Sequence, residues 1–433
     1  MTPRLLLIAL ALGALALPAS AAASDYVPGE VIVRYEDGTT ASVATSSRED
    51  TGTVAEQSLP GGSEQLAIED GESVSETIAE LEDDPNVEYA VPNWRAYAAA
   101  LPTNDPDARR QWNLFKPWGI NLAEAWTLAA TLGAPGGRGA VVAVLDSGVA
   151  FESRGHFRRA PDLRRSTFIR PFDFIDNDRH PNDLFGHGTH VSGTIAQTTG
   201  NGVATAGIAY NAKIMPLRVL DDQGSGDSAA IARAIRWAAR YGADVINLSL
   251  EFPAQVRAAE IPDVIGALRY ARRHGALVVG AAGNQADFTV AYPARSASVL
   301  AVGATTITGC QADYSNSGRD LDLVAPGGGA DAPNNDSIWD SQHCNPDSIG
   351  KPIFQQTFIR TGVRRFGLPR GYEGTSMAAP HVSAIAALII ATKRLGENPS
   401  PQAVEAHLKA TARPTDRPDR YGSGLVDAGA ALR

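Results

Sequence analysis

Hydrophobic and polar positions change character several times along this chain. Arg4 precedes an unbroken apolar run from Leu5 to Leu17, too short for the roughly 20 residues that span a bilayer. Pro18 ends the run, and Ala19-Ser20-Ala21 or Ala21-Ala22-Ala23 offers small residues for cleavage. Residues 1–23 therefore read as a bacterial-type signal peptide, and the product as secreted and extracellular. A different texture follows at 26–97: a strand-like run at 31–35, a polar, Gly-rich middle, a helix around 75–82 and a strand at 86–91. This is a small α+β unit. Residues 98–106 have no periodicity and read as a linker and cleavage region. Beyond it, short apolar runs at 140–146, 214–220, 244–250, 276–280, 299–304 and 321–325 are apolar on both faces. Helical patterns lie between several of them. In 227–241, Ile231, Ala234, Ile235 and Ala238 share one face, and 257–274 and 376–395 look similar. Doubly apolar strands alternating with helices predict an α/β fold, a mostly parallel sheet covered on both sides. Gly, Asn, Asp and Pro crowd 327–371, which reads as a long surface loop.

Composition narrows this little. At 433 residues and 44% hydrophobic, the chain has an ordinary folding composition and room for two or three domains. Two Cys exclude a disulfide scaffold and a four-thiolate zinc site. The net charge of −10 is unevenly spread, because residues 25–100 carry 17 Asp and Glu against three Arg. The rest is nearly neutral, with no basic footprint for nucleic acid.

Three stretches carry chemistry. The strand at 140–146 ends in Asp146-Ser147-Gly148, and the carboxyl ends of parallel strands are where ligands bind; a turn or helix cap is the ordinary alternative. Gly186-His187-Gly188-Thr189-His190 places His187 at a helix start. A zinc helix would need Glu and a second His at i+4, whereas His190 stands at i+3 and reads as a structural hydrogen-bonder. Gly374-Thr375-Ser376-Met377-Ala378-Ala379-Pro380-His381 puts Ser376 at a helix N-terminus, which favours developing negative charge but equally suits a cap. Together they are more specific. A Ser hydroxyl needs an imidazole to take its proton, and the imidazole needs a carboxylate to fix its tautomer. The order Asp, His, Ser excludes the chymotrypsin arrangement, and Ser376 lacks the G-x-S-x-G elbow of α/β-hydrolases.

These motifs resemble the subtilisin family of serine proteases over roughly residues 104–430. The resemblance implies a subtilisin-like three-layer fold at 101–433, preceded by a small α+β, ferredoxin-like propeptide domain at 24–100. Asp146 would orient His187, His187 would act as general base and then acid, and Ser376 would be acylated. Asn284, in Ala281-Ala282-Gly283-Asn284, would complete the oxyanion hole with the Ser376 N–H. Gly224-Ser225-Gly226, Leu248-Ser249-Leu250 and Gly283 would bind an extended polypeptide substrate. Asp84-Pro85-Asn86-Val87-Glu88-Tyr89-Ala90 resembles the family's propeptide, an intramolecular inhibitor and folding chaperone whose tail occupies the cleft until self-cleavage near 97–101. Catalysis would need no cofactor. The protein is expected to be a monomer without a stable membrane anchor or nucleic-acid partner.

Several features depart from the family's pattern or leave a choice open. Glu251 stands where many relatives have Gly; an acidic group there would favour basic or polar substrate side chains or face solvent, and solvent is the reading taken. Cys344 lies in the 327–371 insertion, and a Cys310–Cys344 disulfide would tether it. Asp173, Asp176, Asn177, Asp178 and Asp183 cluster before His187, which suits structural calcium as well as a solvated turn. Asp176, Asp178 and Asp183, with Asn201 from a second loop, form the expected ligand set. A catalytically inactive, peptide-binding relative is the competing reading of the whole chain.

Overall fold

The computed structural model describes residues 26–94, 102–333, 344–346, 349–359 and 362–433. The expected signal peptide and the expected self-cleavage region at 97–101 lie outside the described residues. The chain divides into two compact units between Ala98 and Ala99.

The first unit runs β1 (Tyr26–Tyr35), α1 (Ala41–Asp50), β2 (Thr53–Ser58), β3 (Ser63–Ile68), α2 (Val74–Glu82) and β4 (Val87–Trp94). Its sheet has the order β2-β3-β1-β4 with antiparallel neighbours, the β-α-β-β-α-β arrangement of a ferredoxin-like domain. Val31, Val33, Leu66, Val74, Leu81 and Ala90 form its core. A capping box starts α2: Ser73 accepts from the Glu76 N–H while the Glu76 carboxylate accepts from the Ser73 N–H. The polar middle expected from sequence in fact folds as α1, β2 and β3. It hid because α1 buries only Ala44 and Ser47, and β2 buries Thr53 alone, so no apolar stripe marks either.

The second unit begins with α3 (Leu122–Thr131). It continues through β5 (Val141–Asp146), β6 (Thr167–Phe168), β7 (Phe172–Asp173), α4 (His187–Ala196), β8 (Lys213–Arg218), α5 (Ser228–Arg240), β9 (Val245–Leu248) and α6 (Pro262–Arg273). Then come β10 (Leu277–Ala281), β11 (Leu300–Thr305), β12 (Leu323–Pro326), β13 (Thr357–Phe358), β14 (Phe366–Gly367), α7 (Thr375–Ala391), α8 (Pro401–Thr411), α9 (Pro418–Tyr421) and α10 (Ala428–Leu432). Eight strands form one parallel sheet in the order β12-β11-β10-β9-β5-β8-β6, with β7 also paired to β8. Strand β5 shows why both faces had to be apolar. Val142 and Val144 pack into a core shared with α3, α4 and α7, whereas Ala143 and Leu145 pack into one shared with α5 and α6. Helix α5 starts at the Asp227 side chain, which accepts from the Ala230 N–H, and buries Ile231, Ala234, Ile235 and Ala238. At about 25 cal/mol per Å² of apolar surface removed from water, these two cores dominate the favourable side of folding.

Cys310 and Cys344 are joined in a disulfide. The surface-loop reading of 327–371 needs correction. Ile353, Gln355, Gln356, Thr357 and Phe358 are buried, and the side chains of Gln355, Gln356 and Thr357 find hydrogen-bond partners in place. Gln356 Oε1 accepts from the Asp162 N–H (3.0 Å), and Thr357 Oγ1 donates to the Gly186 carbonyl (2.5 Å). The insertion therefore braces the start of α4.

Candidate active site

Strand β5 delivers Asp146 to its carboxyl end, where the side chain is fully buried. Asp146 Oδ1 accepts from the Ser147 N–H (2.7 Å) and from His187 Nδ1 (2.7 Å). With its Nδ1 proton aimed at a carboxylate, the imidazole is left with Nε2 as its acceptor. The Gly after His187 is a packing requirement, because a Cβ on Gly188 would lie 2.1 Å from the Gly148 carbonyl oxygen and 3.0 Å from the Asp146 Cβ. Any larger residue would push α4 off the carboxylate.

Burial pulls the His187 pKa down, but the charge and hydrogen bond of Asp146, with the charge of Asp183, outweigh it and raise the pKa above its ordinary 6.5. Protonated His187 therefore adds to stability below pH 6.5, and this contribution is lost as pH rises through the folded-state pKa.

Ser376 occupies the first turn of α7. Four residues on, Pro380 has no N–H to give the Ser376 carbonyl, which accepts instead from Ser249 Oγ (2.8 Å). Ser376 Oγ donates to the Ser249 carbonyl (3.2 Å), not to His187. Asn284 follows the end of β10. Its side-chain oxygen accepts from the Thr375 N–H (2.8 Å) and Thr375 Oγ1 (3.0 Å), which fixes the amide so that its NH₂ lies on the other side. His187, Ser376 and Asn284 line one cleft of about 350 Å³ with Phe185, Leu220, Gly224, Ser225, Gly226, Ile231, Ser249, Leu250, Glu251, Phe252 and Pro253.

A subtilase-family model matches residues 137–424, and a model of the fervidolysin N-terminal prodomain matches residues 14–93. The chain belongs to the subtilase family. It is 34% identical to the thermophilic serine proteinase of Bacillus sp. (strain AK1) over 85% of this chain and 79% of that protein. It is 35% identical to subtilisin Savinase of Lederbergia lenta over 73% of this chain and 98% of that protein. Among solved structures, a protease from Pseudoalteromonas arctica aligns with a TM-score of 0.62 and 32% identity, covering 76% of this chain and 98% of the other. The subtilase is thus a subtilisin-like serine protease with an N-terminal prodomain.

Not every predicted residue sits at the subtilase cleft. Leu248 is fully buried in the core beneath α5 and α6, and Gly283 lies behind Asn284, where a Cβ would meet Asn316 Nδ2 at 2.3 Å. Of the four expected calcium ligands, Asp176, Asp178 and Asp183 do not form a tight group. Among the His, Cys, Asp and Glu side chains of the described residues, the one tight group of three is Cys310, Asp331 and Cys344, whose two sulfurs are already bonded. Asp183 is spent internally: it accepts from the N–H groups of Phe185, Gly186 and Thr189 at the start of α4, and from Ser147 Oγ and Thr189 Oγ1. Ser147 Oγ in turn accepts from the Gly188 N–H, so Asp183 ties the Asp146 turn to the His187 turn. Asp176 and Asp173 pair with Arg218 (2.7 and 2.8 Å), a cation supplied by the chain itself. Asp178 accepts from the His180 N–H.

His190 is structural, as its spacing indicated. Its Nε2 donates to the Ile353 carbonyl (3.0 Å), its ring stacks on Tyr372 at 4.2 Å, and burial pushes its pKa down to about 3. His381 is likewise buried between the Met377 carbonyl and Asn113, its pKa pushed down to about 4. Asp162 was not singled out from the sequence, where it is an ordinary Pro161-Asp162 turn 25 residues before His187, yet its buried carboxylate accepts from Gln197, Asn201 and Thr205. Glu251 is partly buried and turned across the cleft rather than out to solvent. Its Oε2 accepts from the Asn284 backbone N–H (3.0 Å) and its Oε1 from Gln285 Nε2 (2.6 Å).

Proposed function

We propose that this subtilase is a secreted endopeptidase, made as a zymogen, that cleaves polypeptides through an acyl-enzyme. The observation that carries the reading is the Asp146–His187 hydrogen bond opening onto a cleft that also holds Ser376 and Asn284. Rotation of Ser376 about χ1 releases Oγ from the Ser249 carbonyl and turns it to His187 Nε2. His187 takes the hydroxyl proton as Oγ attacks the scissile carbonyl carbon, and Asp146 stabilises the resulting imidazolium. The Asn284 amide and the Ser376 N–H receive the oxyanion. The C–N bond then breaks as His187 gives its proton to the amine. Water, deprotonated by the same ring, frees the acid. Gly224–Gly226 and Ser249–Leu250 flank the cleft as edges against which an extended chain pairs. Secretion is supported by relatives such as the extracellular basic protease of Dichelobacter nodosus, 33% identical over 93% of this chain. No helix among the described residues is long and apolar enough to cross a membrane.

One observation favours the non-catalytic reading: Ser376 Oγ is engaged with the Ser249 carbonyl. A serine-directed phosphonate separates the two. Endopeptidase chemistry gives stoichiometric labelling at Ser376, and a pure peptide binder gives none.

Because neutral His187 is the base, kcat/KM should rise with pH along one acid limb whose midpoint lies above 6.5. A pH–rate profile measured well below saturation checks this, and a midpoint at or below 6.5 contradicts the ion-pair environment.

Structural calcium fits better at Asp162 than at the predicted aspartates. The Asp162 carboxylate is buried, and its bonds come from neutral donors: Asn201 Nδ2 (2.7 Å), Gln197 Nε2 (2.9 Å) and the Thr205 N–H (3.1 Å). Burial pushes its pKa up to about 6, and Gln197 Oε1 is buried beside it without a partner. Asp162 would hold the ion through its carboxylate, with the Gln197 and Asn201 amides turned so that their oxygens replace the nitrogens that now face it, and the ion would stabilise the fold and take no part in catalysis. Calcium should raise the unfolding midpoint, by about 2.7 kcal/mol of added stability at 100 times its Kd. Asp162→Asn should remove that response in calorimetric scans with calcium or chelator; an equal response in both proteins rejects the site.

A further inference from the structure

Glu251 reaches from one wall of the cleft to the other. It follows Leu250, yet both its oxygens bond to the opposite segment, at the Asn284 N–H and at Gln285 Nε2. Gln285 is held in turn: its backbone N–H donates to Asn316 Oδ1 (2.9 Å), and its Oε1 accepts from Asn316 Nδ2 (2.9 Å). Asn316 is fully buried. The carboxylate is therefore anchored through a chain of side chains that ends in the core. The backbone makes room for it too, because a Cβ on Gly283 would come within 2.8 Å of Oε2.

The charge of this group is unmatched. Of the described residues lining the cleft, only His187 and Glu251 ionise in the physiological range, and both of Glu251's hydrogen-bond donors are neutral. Partial burial raises its pKa, which marks a carboxylate that lacks a nearby cation.

The chemistry places a substrate group there. On the acyl-transfer reading, the scissile carbonyl carbon meets Ser376 Oγ and its oxygen meets the Asn284 amide, while His187 faces the leaving amine. The side chain of the residue that donates that carbonyl branches one bond from the same carbon. It enters the space between Ser249–Phe252 and Asn284, the space Glu251 spans.

We propose that Glu251 is a specificity-determining residue that selects Lys or Arg on the acyl side of the scissile bond. An ammonium or guanidinium supplies the missing positive charge, and guanidinium matches both carboxylate oxygens. The proposal rests on the acyl-transfer reading above. A charged hydrogen bond of this kind is worth a discrimination of roughly 10- to 100-fold.

The test uses the full-length, self-processed enzyme and peptides that differ only at that residue: Arg, Lys, Met, Gln and Glu. The wild type should favour Arg and Lys over Met by about 10- to 100-fold in kcat/KM. Glu251→Gln should cut that ratio to within a few-fold, and Glu251→Lys should move the preference to Glu. Both variants also disturb the Asn284 N–H and so lower kcat for every peptide; the ratio within one variant cancels that loss. A wild type without basic preference overturns the proposal. So does a Glu251→Gln variant that loses rate equally on all peptides with its ratio unchanged, because Glu251 is then only a brace for Asn284. Failure of the underlying reading looks different: no peptide is cleaved and the phosphonate does not label Ser376.

Discussion

Ser376→Ala should abolish peptide hydrolysis, with kcat falling by roughly 10⁶, the size of the loss when subtilisin, a member of the same family, is stripped of its nucleophile. The expectation follows from geometry. The Ser376 hydroxyl, at the first turn of α7, shares its cleft with an imidazole that has a free Nε2 and with an amide turned by Thr375. The fold should survive. Ser376 Oγ makes a single bond to a carbonyl, and its loss leaves the Ser249 Oγ bond to the Ser376 carbonyl in place. Mass spectrometry of secreted material supplies the check. Wild type should yield a mature form beginning near 97–101, and the variant should retain its prodomain. Normal maturation of the variant in pure culture would remove Ser376 from the mechanism and leave the prodomain to be cut by another enzyme.

Asp146→Asn should cost about 10⁴ in kcat while leaving KM within a few-fold. Asparagine fits the same volume, so the packing between β5 and α4 persists. Its Oδ1 is still able to accept from the Ser147 N–H or His187, but the group is neutral, and a neutral partner neither stabilises the imidazolium nor enforces one tautomer. The pH profile should move as well. With the Asp146 charge gone, burial is no longer outweighed to the same extent, so the acid limb should shift to lower pH. A variant with wild-type kcat would mean that the 2.7 Å contact has no catalytic role.

The parallel sheet was legible because its strands are apolar on both faces; β5 puts Val142 and Val144 into one core and Ala143 and Leu145 into the other. Helix α5 was legible for a related reason, its single apolar stripe. Short strands such as β6 and β7 were not, since two residues carry no periodicity. Asp183 shows another limit. Counted along the chain, it belongs to an acidic cluster, yet in space it closes the N-terminus of α4 while Asp173 and Asp176 turn to Arg218. Glu251 was misread because its partner Gln285 lies 34 residues on, and a side chain's direction is set by what folds against it. The burial of Ile353 and of Gln355 to Phe358 was obscured by the Gly and Pro on either side, which dominate any compositional window.

Helix α7 is buried along almost its whole length, from Thr375 to Ile389 with only Ser376 partly exposed. The proposed nucleophile therefore stands at the tip of a pillar through the core of the second unit rather than on a pliable rim. Heat cannot blunt the active site gradually while that pillar holds, so residual activity after a thermal pulse should count surviving native molecules one for one.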